Sequence, residues 1–350
     1  MATIPHVLPA RVGDIALGFG APERLLTSVM QRARGDMLQE LHTFASPTGH
    51  RAMEAAIARG VQPQLLVNPR NVPYQALRPF GDAVRTERYF PKSLHGELSY
   101  QHSKLLSSSS GRFRRPEAVF TNVSLMPDSA YRSDMSVRLL GDSAEAAHTY
   151  LAASFDSDLA QLSQAAHDAR AAGLLINEPR TGVSHLADAM RSLVDTAEHR
   201  IHIVSKGLDD ADFAARLVQA RSRGVDVTLS LRDLARADAI RLREGGVRVV
   251  MQPMRTMSSR INMMVADDLA LASTAYQWTP MLTHGGASSR ESGVLLAGRD
   301  AARAIKQLGK TAEGAVALAG TEGLAHLKLP AGFAAIEDVI ASTRMIVHLA

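Results

Sequence analysis

The chain has no cysteine, so disulfides, thiolate nucleophiles and cysteine-based zinc sites are excluded. Aromatic residues make up only 5%, with a single tryptophan, which argues against a broad stacking platform for single-stranded nucleic acid. Lysine is scarce as well. Only Lys92, Lys104, Lys206, Lys306, Lys310 and Lys328 stand among 39 basic residues, so a lysine in a patterned position is a strong pointer. No apolar run approaches the roughly 20 residues a membrane span needs. The start, Met1-Ala-Thr-Ile-Pro-His, lacks the basic and then apolar pattern of a secretory signal. These absences predict a cytoplasmic protein whose membrane contact, if any, is peripheral. None of the 13 histidines falls in an H-E-x-x-H or comparable ligand spacing, so no metal and no cofactor is expected. Gly18-Phe-Gly-Ala-Pro22 lacks the strand–turn–helix context and glycine spacing of a dinucleotide loop.

What is present fits a globular protein. The 350 residues correspond to about two domains, with 46% hydrophobic and 21% charged residues. A net charge of +4 and a pI near 9.5 suit an anionic partner such as a phosphodiester, a nucleic acid or an anionic lipid surface.

The chain also repeats itself. Ala55-Ala-Ile-Ala-Arg-Gly-Val-Gln-Pro-Gln-Leu-Leu-Val67 and Gln219-Ala-Arg-Ser-Arg-Gly-Val-Asp-Val-Thr-Leu-Ser-Leu231 both read as helix, Arg-Gly-Val stop and strand. Gly60 and Gly224, 164 residues apart, sit where a helix C-terminus calls for positive φ. Helical spacing over 24–33 and 186–194 opens each half. Strands are predicted over 200–206, 247–251, 263–266 and 293–297, with a helix over 300–308; the stretch 38–45 is a less regular counterpart in the first half. An Ala-rich helical stretch, 150–172, and a turn at 177–182 separate the halves. The predicted class is α/β, with a first half over 1–165, a second over 180–320 and a C-terminal extension over 321–350. The acidic run Leu208–Phe213 reads as a helix cap.

His102-Ser-Lys104 is the most informative tripeptide. On an extended strand, residues two apart share a face. An imidazole beside a fixed ammonium suits attack on phosphorus with the cation on the non-bridging oxygens. A second strand follows over 118–125 with Asn122 near its end. His-x-Lys, strand, and Asn-x-Ser after a helix–Arg-Gly-Val–strand unit resembles the phospholipase D superfamily. The resemblance spans about residues 24–310. It implies two tandem halves, each a mixed sheet flanked by helices, around a shared cleft, and a metal-independent phosphohistidine mechanism. It makes His102, Lys104 and Asn122 candidate catalytic residues, with Arg260, Asp267, Gln277 and Glu291 as substrate-binding or supporting residues.

The motifs are degenerate. Ser109 stands where the first motif's Asp would fall, followed by the basic insertion that carries Arg112, Arg114 and Arg115. In the second half Arg260 and Asn262 occupy the His and Lys places. Asp267 matches the motif Asp, Ser273-Thr274 resembles the motif Gly-Ser, and Gln277 stands near the Asn place. Glu291 matches the downstream acid, with Asp134 as its first-half counterpart. The family reaction needs a second proton carrier, and Arg260 cannot serve because its pKa is above about 12.

Three readings follow: a working half-site completed by another residue or by a second subunit; a cleft that binds a phosphate, lipid headgroup or nucleic acid without turnover; or an interaction module, its Met251–Met257 and Met263–Met264 stretches serving as packing. His284, after the second motif, offers a local acid but reads first as a loop histidine. The leading expectation is a phospholipase D-like phosphodiesterase or phosphatidyl transferase acting on a phospholipid-type phosphodiester, as monomer or homodimer. A binding protein or a nuclease of the same fold is the alternative.

Overall fold

The computed structural model describes residues 2, 4–68, 71–72, 74–88, 100–109, 115–126, 133–234, 236–251, 261–275 and 289–308. The first sheet grows from β1 (Val12–Phe19), β2 (Met37–Leu41), β3 (Pro63–Val67), β4 (Arg85–Arg88), β6 (Leu105–Ser109), β7 (Pro116–Thr121) and β8 (Ser133–Leu139). A two-residue strand, β5 (Tyr100–Gln101), precedes β6. The helices of this region are α1 (Ala21–Arg32), α2 (Pro47–Ile57) and the short α3 (Tyr74–Leu77). α4 (Gly141–Ser154) and α5 (Leu159–Ala171) follow β8. The second sheet grows from β9 (Leu174–Glu178), β10 (Val183–Ser184), β11 (Arg200–Leu208), β12 (Asp226–Leu234), β13 (Arg248–Met251), β14 (Met263–Ala266), β15 (Leu269–Ser273) and β16 (Ser289–Ala297). Its helices are α6 (His185–Thr196), α7 (Ala211–Ser222) and α8 (Arg236–Glu244), and a further helix covers 298–308.

Among the described residues the strand orders are β1-β8-β7-β6-β2-β3-β4 and β10-β9-β16-β15-β14-β11-β12-β13. Apart from the extra edge strand β10 they match term by term: β2-β3-β4 are parallel neighbours, as are β11-β12-β13, and β6-β7-β8 form an antiparallel meander, as do β14-β15-β16. This is the α/β class with two mixed sheets that the repeat predicts. The shared helix–strand unit is α2–β3 in one half and α7–β12 in the other. Gly60 and Gly224 end those helices at φ +82° and +94°, conformations a side chain would strain. Ser46 caps α2 through Gly49 N, and Asp210 caps α7 by accepting from Asp212 N and Phe213 N, as the acidic run suggests.

Three apolar layers hold the sheets. Leu26, Met30, Met53 and Leu65 pack α1 and α2 on one sheet. Met190, Leu193, Phe213 and Leu217 pack α6 and α7 on the other. Between the sheets, Ala144, Tyr150, Leu162 and Ala166 of α4 and α5 meet Phe120, Val137, Met263 and Val294. The Ala-rich stretch is thus two helices broken at 155–158, and its small side chains let two sheets share one central layer.

Local differences from the sequence reading have simple causes. His102 and Lys104 lie between β5 and β6, not on one continuous strand. β16 begins at Ser289 rather than 293 because its first residues pair with β9 and β5. β7 ends at Thr121, where the chain turns out of the meander. Residues 309–350 lie outside the described residues, and so does the proposed extension. No helix among the described residues is long and apolar enough to cross a membrane.

Candidate functional site

The nucleophile candidate sits where the two sheets meet. β5 leaves the first region to pair in parallel with β16, Tyr100 opposite Ser289 and Gln101 opposite Arg290. The amides of His102 and Ser103 then both donate to the Arg290 carbonyl, at 3.1 and 2.8 Å. The chain crosses back into β6 two residues later. His102 is thereby fixed by backbone contacts to the opposite half before its side chain makes any.

Its side chain is fixed from the same direction. His102 Nδ1 donates to Glu291, 2.9 Å from Oε1 and 3.0 Å from Oε2. Thr274 Oγ1 donates to Glu291 Oε2 at 2.7 Å and Ser289 Oγ to Oε1 at 3.2 Å. Burial raises the Glu291 carboxyl, but His102, Lys104 and Thr274 outweigh it and hold the pKa below its ordinary value. An ionised carboxylate only accepts, so the proton between the two groups belongs to Nδ1. The lone pair is left on Nε2. Lys104 Nζ lies 3.5 Å from that nitrogen and donates to the His102 carbonyl at 3.0 Å.

His102 lines a cleft of about 200 Å³, with His42, Lys104 and Asn122 from the first half and Asn262 and Thr274 from the second. Asn122 Nδ2 donates across the halves to the Ser273 carbonyl at 2.5 Å. The structure thus brings together His102, Lys104, Asn122 and Glu291 from among the residues singled out in the sequence. Asp134 is buried at the start of β8, and the ladders identify it as Glu291's counterpart. Asn122 N donates to Met135 O as Thr274 N donates to Ser292 O, so the residues just before those acceptors, Asp134 and Glu291, correspond. The same register matches Thr274, rather than Gln277, with Asn122. Arg260, Gln277, His284, Arg112 and Arg114 lie outside the described residues.

Asp267 is not brought to the cleft. It turns the chain between β14 and β15 at φ +52° and accepts the amides of Ala2, Glu198, His199 and Arg200. Burial raises its pKa, yet these four hydrogen bonds outweigh that and lower it. Its role here is to hold the turn and the start of β11. Chain spacing places it five residues from Asn262, but β14 carries it to the far end of the strand.

Two features escaped the sequence reading. His42, just past β2, meets His102 edge-on, with ring centroids 4.5 Å apart. Its Nδ1 lies 3.1 Å from the Gln101 carbonyl and its Nε2 3.0 Å from Asn71 Nδ2. Beneath the site runs a buried ion network. Arg290 pairs with Glu40 of β2 and with Glu178 of β9 at 2.5 Å, contacts Ser154 Oγ, and stacks over Tyr150. Arg180 binds the other side of Glu178 at 3.0 Å. Burial raises the Glu40 pKa against the pull of Arg290. The signal for both was the polar interruption Gln39-Glu40-Leu41-His42 within a strand that otherwise enters the core.

No family model matches the chain, and no curated protein matches it. Solved structures do. Polyphosphate kinase from Porphyromonas gingivalis matches with a TM-score of 0.62 at 12% identity, over 95% of this chain and 52% of that one. The chain therefore spans about half the length of that kinase. Phosphatidylserine synthase from Haemophilus influenzae Rd KW20 matches at 0.63 and 9% identity, over 88% and 87% of the two chains. Yeast tyrosyl-DNA phosphodiesterase matches at 0.55 and 9% identity, over 82% and 90%. These neighbours are members of the phospholipase D superfamily, and the chain has their fold.

Proposed function

We propose that this protein, built on the phospholipase D fold, is a phosphodiesterase or phosphatidyl transferase working through a phosphohistidine at His102 on a phospholipid-type phosphodiester. The reading takes residues 1–165 and 180–320 as the two halves and 321–350 as an extension. One observation carries it: His102 Nδ1 lies 2.9 Å from Glu291 Oε1, whose carboxyl is held low in pKa, which assigns the proton to Nδ1 and leaves Nε2, beside Lys104 Nζ, as the basic nitrogen of a cleft-lining ring. A phosphate entering the cleft meets Lys104 and Asn122. Nε2 attacks phosphorus, and the positive charge that develops on the ring is matched by Glu291. Water or an acceptor alcohol then releases the phosphoryl group. Arg260, by its place in the sequence, grips phosphate as a permanent cation. No metal or cofactor is invoked.

The test is hydrolysis of bis(p-nitrophenyl) phosphate by the wild type and by His102→Ala. The expected loss is about 10⁴-fold or more, as for other nucleophiles that act within a unit. Equal rates would remove His102 from the chemistry.

One observation favours a second reading, a cleft that binds phosphate without turnover. Asn262 and Thr274 stand where the first half has Lys104 and Asn122, so the second half lacks the cation of a complete motif. Retained binding of anionic vesicles by a wild type that releases no p-nitrophenol would support it. A salt series compares lipid with DNA, since a steep log–log fall in affinity marks phosphate-backbone binding. Peripheral contact with a membrane, a cytoplasmic location and a monomeric or homodimeric state complete the proposal.

A further inference from the structure

A phosphohistidine cycle needs a group that gives a proton to the leaving oxygen and takes one back from the incoming nucleophile. Such a group must titrate near neutral pH. Among the described residues lining the cleft, Lys104 is a strong base and the others, apart from two histidines, are amides, hydroxyls and a thioether. Imidazole is the side chain suited to the task. One of the two imidazoles is His102, the nucleophile. The other is His42.

His42 is also held in a working orientation. The Gln101 carbonyl lies 3.1 Å from Nδ1 and can only accept, so Nδ1 carries a proton in either charge state. Asn68 Nδ2 donates to the same carbonyl at 3.0 Å and steadies it. That leaves Nε2 as the nitrogen that gains and loses a proton: neutral, it accepts from Asn71 Nδ2 at 3.0 Å, and protonated, it releases that exposed amide and donates instead. Both rings line one cleft, edge-on with centroids 4.5 Å apart, which keeps the second imidazole close to a phosphoryl group carried by the first.

We infer that His42, a residue outside the repeated motif, is the proton carrier of the reaction and replaces the histidine that the second half lacks. The inference rests on His102 being the nucleophile. In the first step His102 Nε2 forms a bond to phosphorus, the P–O bond to the leaving group breaks, and the departing oxygen takes the Nε2 proton of the His42 imidazolium. In the second, neutral His42 accepts a proton from water or an acceptor alcohol. That oxygen bonds to phosphorus, and the N–P electron pair returns to His102. His42 ends protonated, ready for another cycle.

Pre-steady-state release of p-nitrophenol from bis(p-nitrophenyl) phosphate separates the two steps, because p-nitrophenolate leaves without a proton. Intact-protein mass spectrometry follows the covalent adduct. For His42→Ala the expected result is a burst like that of the wild type, a steady state slower by about 10²–10⁴-fold, and accumulated adduct on His102. His42→Gln retains a side-chain amide for the Gln101 and Asn71 contacts and behaves the same way if proton transfer is what is lost. A burst that vanishes together with the steady state in both folded variants, or a steady state unchanged in either, overturns the inference while leaving His102 as nucleophile. A wild type with neither burst nor adduct overturns the phosphohistidine reading itself, and this inference with it.

Discussion

The two halves put the same backbone positions at the cleft and fill them with different chemistry. One residue before β6 stands Lys104; one before β14 stands Asn262. After β7 comes Asn122, after β15 Thr274. Past the core of β2 lies His42, and the matching place on β11 is Lys206. Asp134 and Glu291 are the matched acids. Both imidazoles described at the cleft therefore belong to the first half, while the carboxylate that orients one of them comes from the second. The comparison teaches that one backbone frame occurs twice, and that the frame does not depend on which side chains fill it. Capping, ladder register and helix stops recur in the second half although the His-x-Lys pair does not.

The sharpest way to break this asymmetry is to remove the orienting charge. Glu291→Gln keeps an acceptor near Nδ1 but loses the charge that matches the phosphorylated ring. Turnover is expected to fall about 10²–10⁴-fold, by analogy with neutralising a carboxylate behind a catalytic histidine. Asp134→Asn is expected to cost at least tenfold less. Steady-state rates per folded molecule check both. Equal losses would mean that the halves contribute equally.

The network under the cleft is where the halves are joined rather than contrasted. Arg290→Met leaves Glu40 without its cation and Glu178 with Arg180 alone. Urea unfolding is expected to show a loss of about 3–5 kcal/mol, as for other broken buried ion pairs. Replacing Glu40 and Glu178 by apolar residues in the same chain should recover most of it.

A third contrast concerns pH. His202 on β11 is buried, and its register mate on β2 is Leu38. Burial, with Arg200 and Arg248 adding to it, lowers the His202 pKa from 6.5 to about 4. Between those values the unfolded chain binds the proton and the folded chain does not, so stability falls as pH drops through 6.5 and levels off below 4. The share of His202 is about 3 kcal/mol between neutral pH and pH 4. Denaturation at both values checks it, and His202→Leu should shrink the difference by that amount.

Much of this architecture was legible in the residues. Helix stops at Gly60 and Gly224, the strands 200–206 and 263–266 and the cap at Asp210 are local features, and local chemistry announces them. His102 with Lys104 and the distant Glu291 were legible as a pattern of types. What was not legible depends on direction. Asp267 fits a motif by chain distance yet faces away, because spacing does not reveal which end of a strand reaches the cleft. Glu40 lies in, and His42 just past, a strand whose polar residues blurred its alternation, and only the folded chain shows that they meet Arg290 and His102.

The brief detour of Tyr100 and Gln101 into the opposite sheet has a mechanical consequence. The His102 imidazole follows directly on a strand paired with β16, and its own amide is bonded there too, so prising the lobes apart would dismantle its seat. The scaffold is a closed clasp rather than a jaw. The first lobe made separately would lack the two partners that hold His102, because the Arg290 carbonyl and the Glu291 carboxylate both come from the other lobe.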